Sequence, residues 1–292
     1  MIENTIAVFQ ASPLLFYVVI AFIGLSTGSF LNVVVYRLPL IMERNWKTEC
    51  REFLELEPAK DEQPLASMTL ASPPSACPGC GHKIRFYENI PVLSYLFLRG
   101  RCSSCSTPIG LQYPMVELAT GIISILVAMR FGVSLQTVAA LLFSWVLIAL
   151  TLIDIKKMLL PDSMTLPLLW LGILCGFFGL FTDLQSSVIG AMAGYMILWS
   201  VYWLFKLVTG KEGMGYGDFK LLAALGAWTG YIYLPQIILV SAVVGSVIGI
   251  TMVITGMNKH QNPIPFGPYL AIAGWIALMW GEQINDLYLS ML

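Results

Sequence analysis

Long apolar runs, separated by short polar stretches, make up most of this chain of 292 residues. An apolar run of about 17 to 25 residues is long enough to cross a bilayer as a helix. By this measure the sequence predicts eight membrane spans, near 13–36, 111–129, 133–153, 163–181, 187–208, 219–234, 236–257 and 266–281. The second and sixth runs are short or carry a polar residue, so counts of seven and nine stay open. The predicted fold class is an all-α polytopic membrane protein.

The composition supports this class. Hydrophobic residues make up 57% of the chain and charged residues 11%, whereas soluble domains carry about 25% charged residues. The mean hydropathy of +0.77 excludes a disordered polypeptide and argues against a soluble enzyme. The net charge of −1 provides no basic field, so a nucleic-acid partner is not expected.

Basic residues are concentrated in alternate loops, and Lys and Arg favour the cytoplasmic side of a membrane. Nine of the sixteen lie between the first two spans: Arg37, Arg44, Lys47, Arg51, Lys60, Lys83, Arg85, Arg99 and Arg101. Six more lie in or beside the loops after spans three, five and seven: Lys156, Lys157, Lys206, Lys211, Lys220 and Lys259. The pattern predicts an even number of spans with both termini outside, and Arg130 alone disagrees.

Three parts follow from this topology: a first membrane helix within 1–36, a cytoplasmic insert at 37–112 and a membrane core of about seven helices at 113–292. The first span has no basic residue before it and Arg37 after it, which is the reverse of a cleavable signal peptide. It should therefore remain as an anchor. The first half of the insert is charged and then rich in Pro and Ser, which predicts a short amphipathic piece followed by a loop.

The second half of the insert contains two CxxC pairs, Cys77–Cys80 and Cys102–Cys105, with 21 residues between them. This spacing is typical of four thiolates around one zinc ion. Two disulfides are the alternative, but a cytoplasmic insert lies in a reducing compartment. Because all four zinc positions would be cysteines, the metal should be structural. His82 is a less favoured ligand, and nearby basic residues can offset the negative charge of the site: Lys83, Arg85, Arg99 and Arg101.

Acidic residues at the ends of apolar helices are costly and are therefore candidates for function. Asp154 closes the third span, where the helix dipole disfavours a negative charge; an ion pair with Lys156 or Lys157 is the alternative explanation. Asp162 directly follows a proline and is interpreted as the N-cap of the fourth span. Glu117, near the start of the second span, is a further candidate.

Asp218 ends the segment GMGYGD at 213–218, whose three glycines allow backbone to approach another helix or an extended peptide closely. An N-cap is the simpler interpretation of this aspartate. The predicted topology brings Asp154 and Asp218 to the same cytoplasmic face. Two carboxylates in one dry site can divide into an ionised base and a protonated acid, which can activate a water against a carbonyl group.

The sequence lacks the motifs that a metalloprotease or a serine hydrolase requires. The two histidines, His82 and His260, form no HExxH motif. The GLSTG at 24–28 matches a serine-nucleophile motif only in letters, because it lies within a helix and not on a strand-to-helix turn. Its glycines predict a close helix contact, as do two other pairs of small residues: Gly190 with Gly194, and Gly245 with Gly249.

Taken together, the motifs resemble those of the type IV prepilin peptidases, which are bifunctional leader peptidases and N-methyltransferases. The resemblance covers GSFLNVVVYRLP at 28–39, the cysteine block at 77–105, YPMVELATG at 113–121, DIKKMLLPD at 154–162 and GMGYGDFKLLAALGAW at 213–228. The combination is specific, although GxGD also occurs in presenilin-like intramembrane proteases.

The resemblance implies that Asp154 and Asp218 are catalytic and that Gly215 and Gly217 support their loop. The implied reaction is removal of a short basic leader after a glycine at the cytoplasmic face of the bacterial inner membrane. Methylation of the new N-terminus with S-adenosylmethionine follows. Substrates would be type IV prepilins or type II secretion pseudopilins.

For methylation the resemblance points to the insert, where Gly100 matches a position important in the family; a simple turn is the alternative for this glycine. Glu117 could orient the substrate amine or pair with an arginine of the insert. Two other functions stay open: a peptidase whose insert is only a structural module, and a proton-coupled transporter whose zinc insert binds a cytoplasmic partner.

Overall fold

The computed structural model describes residues 2–56, 68–256 and 264–290. Lys60, Lys259 and His260, which entered the charge and motif arguments, lie outside these ranges. The chain divides into two compact units, Met1–Val133 and Ser134–Leu292. Each unit is described separately.

The secondary structure of the described residues is helical, apart from two isolated β-bridges in the insert, Ala76 with Lys83 and Arg101 with Pro108. Two 3-10 turns, Phe86–Asn89 and Tyr231–Tyr233, accompany ten α-helices: α1 Ile2–Ala11, α2 Pro13–Phe53, α3 Leu93–Phe97, α4 Gln112–Phe131, α5 Leu135–Lys157, α6 Asp162–Phe177, α7 Leu184–Thr209, α8 Tyr216–Thr229, α9 Leu234–Ile254 and α10 Gly267–Leu289. A helix lies at each predicted span, and α1 and the short α3 were not predicted.

Five segments are long and apolar enough to cross a membrane within the part of the chain that the structure describes. They are α2, α4, α5, α7 and the segment Tyr231–Ile254, which contains α9; α6 is apolar but shorter. The all-helical membrane class is therefore confirmed. The count of eight spans is not confirmed.

In the first unit, α2 does not end near residue 36 but continues to Phe53. Its 41 residues span about 60 Å at 1.5 Å per residue, twice the roughly 30 Å hydrocarbon core of a bilayer. The predicted amphipathic piece is thus the end of α2 and not a separate element, because Arg, Lys and Glu are good helix formers. Within α2, buried Arg37 donates hydrogen bonds to the carbonyl oxygens of Thr69, Leu70 and Pro73. It thereby holds the segment of the insert that begins at residue 68 against α2.

The close helix contact predicted for Gly24 and Gly28 is confirmed, and the partner is α4. A methyl group added at Gly28 would lie 2.7 Å from Glu117 Cα, which leaves no room for a side chain. Gly24 faces Ser124 of α4 in the same way.

In the second unit, α8 is the central helix and packs against α6, α7 and α10. All its residues from Asp218 to Thr229 are buried except Lys220. Gly194 of α7 lies against the backbone of α8, where an added methyl group would be 2.6 Å from Leu222 O; Gly190 makes a similar approach to Gly226. The predicted Gly190–Gly194 contact is therefore confirmed.

The end of α8 and the contact of one glycine pair differ from prediction here. The sixth span was predicted to reach 234, but α8 ends at Thr229 because Gly230 adopts a φ of +84°. Gly245 and Gly249 face the side chains of Tyr269 and Ile264, and not the backbone of a neighbouring helix.

Candidate functional site

Asp154 and Asp218 lie in the same compact unit, one near the end of α5 and the other in the first turn of α8. They are 5% and 6% exposed. Asp154 Oδ2 accepts a hydrogen bond of 3.1 Å from the backbone N–H of Gly267, at the start of α10. This contact fixes the position of the Asp154 carboxylate.

A leucine and two glycines join the segments that carry the aspartates. A methyl group added at Gly217, next to Asp218, would lie 2.8 Å from Leu160 Cβ. One added at Gly267 would lie 3.2 Å from Leu160 Cδ1 and 2.6 Å from Asp154 Oδ2. Both glycines are therefore required by close packing around the carboxylates.

The start of α8 is formed by Gly215, which occupies the N-cap position with extended backbone. Asp218 is the third residue of this helix and not its N-cap, so the simpler interpretation of that aspartate is wrong. A carboxylate in the first turn of a helix is stabilised by the helix dipole.

Asp162 was predicted to be the N-cap of the fourth span, and this prediction is wrong. Pro161 occupies the cap position of α6, and the Asp162 side chain makes no capping hydrogen bond. Both of its carboxylate oxygens lie 2.7 Å from Lys220 Nζ. This ion pair links the start of α6 to α8, because Lys220 lies in α8 two residues after Asp218.

The four cysteines predicted as metal ligands are brought together in the first unit. Their sulfur atoms all lie within 4.8 Å of one another, and this cluster could hold a metal ion. The Cys77–Cys105 and Cys80–Cys102 sulfur pairs are 3.7 and 4.0 Å apart, far longer than the roughly 2.05 Å of a disulfide. A tetrahedral metal with bonds of about 2.3 Å places sulfurs roughly 3.8 Å apart, so the geometry fits a metal and not disulfides.

The two CxxC turns have the same backbone design. In the first, Gly81 N–H donates to Cys77 O, and in the second Ser106 N–H donates to Cys102 O. The residue after the second cysteine has a positive φ in both turns, +71° at Gly81 and +59° at Ser106. A hydrogen bond with the Thr107 hydroxyl lowers the pKa of the Cys105 thiol to about 6, whereas at Cys80 a backbone hydrogen bond at His82, which lowers the pKa, is outweighed by hydrogen bonds with the other three thiols, which raise it to about 11.

Glu88, which sequence reasoning missed, connects the two turns. Its Oε1 accepts from the Ser103 hydroxyl at 2.6 Å, and its Oε2 accepts from Arg85 N–H at 2.8 Å and lies 3.2 Å from His82 Nε2. The Arg85 N–H and then the Ser103 hydroxyl lower the pKa of Glu88 to about 2. His82 therefore binds a carboxylate beside the cysteine cluster and does not belong to the cluster.

The two residues considered for methylation also have defined contacts. Gly100 has a φ of +67° and forms a turn before the second CxxC pair, where an added methyl group would lie 2.8 Å from the Tyr95 hydroxyl. Glu117 is buried in α4 and accepts a 2.7 Å hydrogen bond from Val92 N–H of the insert. Val92 has an unusual φ of +61° for a β-branched residue, so Glu117 stabilises a strained turn of the insert.

Sequence reasoning also missed Gly267 and Leu160, which pack around the two aspartates. Gly267 lies 113 residues from its hydrogen-bond partner, Asp154. The glycine between Phe266 and Pro268 at the start of an apolar run was the available signal, since a glycine there permits close backbone approach.

Two family models match the chain. Residues 22–131 match the model described as the bacterial peptidase A24 N-terminal domain. Residues 141–250 match the model described as the type IV leader peptidase family. The first region lies in the unit Met1–Val133 and the second in Ser134–Leu292.

Several similar proteins share one name, prepilin leader peptidase/N-methyltransferase. The protein of Pseudomonas aeruginosa is 58% identical over 278 residues, which are 95% of each chain. That of Stutzerimonas stutzeri is 56% identical over 96% of each chain. That of Dichelobacter nodosus is 51% identical over 92% of this chain and 94% of its own. No solved structure matches.

Proposed function

We propose a residue-level mechanism for this chain, which belongs to the type IV leader peptidase family and, like its relatives, is a membrane peptidase with N-methyltransferase activity. Asp154 and Asp218 are the catalytic pair. Gly215 and Gly217 shape the turn that presents Asp218. Both carboxylates are buried, on segments that pack together around Leu160, in a chain with only 11% charged residues, and this is the observation that carries the assignment.

The pair acts by acid and base catalysis. The ionised carboxylate removes a proton from a water molecule, whose oxygen attacks the scissile carbonyl carbon. The protonated carboxylate donates its proton to the carbonyl oxygen, and the tetrahedral intermediate then collapses with transfer of a proton to the leaving amine. The backbone N–H of Gly267 holds Asp154 in place for this step.

The test is cleavage of a prepilin-like peptide by the full-length protein in lipid nanodiscs. Asp154→Asn and Asp218→Asn should each lower kcat by about 10²- to 10⁴-fold, the usual contribution of a general acid or base. Asp183→Asn is the matched control, because Asp183 caps α7 through Ser186 N–H and asparagine is an equally good cap. Wild-type cleavage rates in both catalytic variants would rule out the pair.

The insert binds Zn²⁺ through Cys77, Cys80, Cys102 and Cys105. Its sulfur distances support this assignment. Four protein ligands leave no position for a water, so the ion holds the two CxxC turns together and takes no part in hydrolysis.

The insert also carries the methyltransferase activity, with Gly100 and Glu117 as supporting residues. S-adenosylmethionine, when bound, supplies a methyl group on a sulfonium that a neutral amine can attack. Glu117 holds the strained turn at Val92, and Gly100 forms the turn that leads into the second CxxC pair. The names of the relatives favour both activities over the two alternatives raised from the sequence, a peptidase alone and a proton-coupled transporter.

The eight helices at the predicted spans, α2 and α4 to α10, cross the inner membrane with both termini in the periplasm. The excess of Lys and Arg in alternate loops supports this orientation. The insert and both aspartates then lie at the cytoplasmic face, where the basic leader of a type IV prepilin or a type II secretion pseudopilin remains after its apolar helix enters the bilayer.

A further inference from the structure

Two exposed arginines of the insert, Arg99 and Arg101, line a cavity that the proposed peptidase site does not include. The cavity has a volume of about 560 Å³, and the hydroxyl-bearing side chains of Ser103 and Ser106 also line it. Among the described residues, neither guanidinium donates a hydrogen bond or forms an ion pair. No acidic residue of the described chain belongs to the wall, so the cavity presents positive charge.

This set of donors is typical of a phosphate site. A guanidinium is always charged, and its planar fork of N–H groups matches two oxygens of one phosphate. The Ser103 hydroxyl already donates to Glu88, whereas no described residue binds the Ser106 hydroxyl. Two guanidinium forks and one free hydroxyl are thus available to an anion.

Compensation of the cysteine cluster is the simpler role for these arginines, but it does not use all of the positive charge. Residues 68–112 contain four basic residues and one acidic residue, Glu88. A zinc ion with four thiolates adds two negative charges. One positive charge remains after both are counted. Glu88 lies outside the wall of this cavity, and its oxygens are bound by Arg85 N–H and Ser103.

The cavity lies close to the point where the chain enters the membrane. Ile109 N–H donates a 2.7 Å hydrogen bond to the carbonyl oxygen of Gly100, which lies between the two arginines. Helix α4 begins three residues after Ile109, at Gln112, a distance of at most about 11 Å along extended chain. Because the 20 residues of α4 span about 30 Å, the thickness of the hydrocarbon core, its first residue should lie in the headgroup layer.

Apolar side chains accompany the charge. Phe97 is 84% exposed and lines the same cavity, and Leu96 next to it is 64% exposed. Exposed aromatic and aliphatic side chains beside basic ones are typical of segments at a bilayer surface, where the apolar groups enter the acyl boundary and the cations meet the headgroups. A soluble phosphate compound would explain the arginines but not these two side chains.

We propose that Arg99, Arg101 and Ser106 bind the phosphate of an anionic phospholipid in the cytoplasmic leaflet, with Leu96 and Phe97 inserted beside the headgroup. The inference rests on the proposed orientation, because the cytoplasmic leaflet carries the excess of anionic lipid. The bound lipid holds the second CxxC turn at the membrane surface.

The test is the rate at which phenylglyoxal modifies single arginines of the zinc-loaded, full-length protein in nanodiscs, measured by peptide mass spectrometry. Nanodiscs of phosphatidylcholine alone are compared with nanodiscs that also contain phosphatidylglycerol, whose headgroup has no cation to compensate its phosphate. Arg99 and Arg101 should react about fivefold more slowly with phosphatidylglycerol, the effect of an anionic leaflet on one basic residue. Arg85 is the matched control, because it is exposed in the same insert and does not line this cavity. Rates for Arg99 and Arg101 that agree within twofold in the two lipids, or equal protection of Arg85, would overturn the site.

A second arm identifies the source of the phosphate. Inorganic phosphate added to the phosphatidylcholine nanodiscs should leave the rates of both arginines unchanged. Protection as strong as that by phosphatidylglycerol would show a site for soluble phosphate and overturn the lipid assignment.

A variant tests whether the two arginines act together. Arg101→Gln should remove the protection of Arg99 by phosphatidylglycerol, whereas Lys83→Gln, which removes the same charge outside this cavity, should keep it. Full protection of Arg99 in Arg101→Gln would contradict a joint site. The comparison of lipids uses the wild-type protein alone, so it stands even where a variant loses zinc or fails to fold.

Failure of the proposed function would be seen elsewhere. Nanodiscs expose both leaflets, so protection of the arginines does not depend on the orientation of the chain, and cleavage of prepilin peptide in the same nanodiscs tests the peptidase separately. An insert on the periplasmic side would be revealed by labelling of Lys83 in intact cells with an amine reagent that does not cross the inner membrane.

Discussion

Gly267→Ala should disable the peptidase without touching either aspartate. The added methyl group would lie 2.6 Å from Asp154 Oδ2, in a position that now allows a 3.1 Å hydrogen bond from Gly267 N–H to the same oxygen. The same methyl group would lie 3.2 Å from Leu160 Cδ1, so it cannot move away from Asp154 toward Leu160. The carboxylate or the start of α10 must therefore move.

The size of this movement sets the expected loss. An ordinary contact with the new carbon requires about 3.5 Å, so the atoms must separate by roughly 0.9 Å. Misplacement of a catalytic group by about 1 Å can cost around 100-fold in rate, which is about 2.7 kcal/mol of transition-state stabilisation. We expect kcat for prepilin cleavage to fall by this factor.

The assay compares Gly267→Ala with Gly249→Ala in nanodiscs, with thermal unfolding followed in parallel. Gly249 also lies in a helix of the second unit, but a methyl group there would meet Ile264 Cδ1 at an ordinary 3.5 Å. The control should cleave normally. Full cleavage by Gly267→Ala, or an equal loss in both variants, would show that Asp154 is not held by this contact or does not act in catalysis.

Three further predictions concern packing, metal and charge. Gly190→Ala should lower the thermal unfolding temperature, because the new methyl group would collide with the backbone of α8 at Gly226. The control variant Gly249→Ala should unfold at the wild-type temperature, and equal melting curves for the two variants would contradict the Gly190 contact. Cys105→Ser should reduce bound zinc measured by mass spectrometry and melt the insert, while Cys50→Ser, outside the cluster, should keep one zinc per chain. Lys220→Met should lower the free energy of unfolding by only about 0.2–1 kcal/mol, as expected for a partly exposed ion pair with Asp162, and a loss above about 2 kcal/mol would refute that view.

Local patterns in the sequence predicted most of the fold. A helix lies at each predicted span because a segment in lipid must satisfy its backbone hydrogen bonds internally, so hydropathy alone identifies it. The cysteine cluster was predictable because each CxxC pair presents two sulfurs from one short turn. The end of α2 was missed because hydropathy stops near Arg37, while the charged residues that follow still favour a helix.

Contacts between distant residues were not predictable in this way. Asp162 was interpreted from its neighbour Pro161, but its partner is Lys220, 58 residues later. No local pattern connects Asp154 with Gly267, because that contact depends on how α5 and α10 pack. The sequence could identify chemically unusual residues, and it could not state which backbone group would hold them.

The order of the two reactions determines what a loss of methylation means. The amine that receives the methyl group does not exist until the peptide bond before it is broken. A variant blocked at Asp218 must therefore yield no methylated product from intact prepilin, even if its insert is fully competent. The aspartates lie in one compact unit and the cysteine cluster in the other. Only a peptide supplied already cleaved can therefore separate a defect of the insert from a defect of the peptidase.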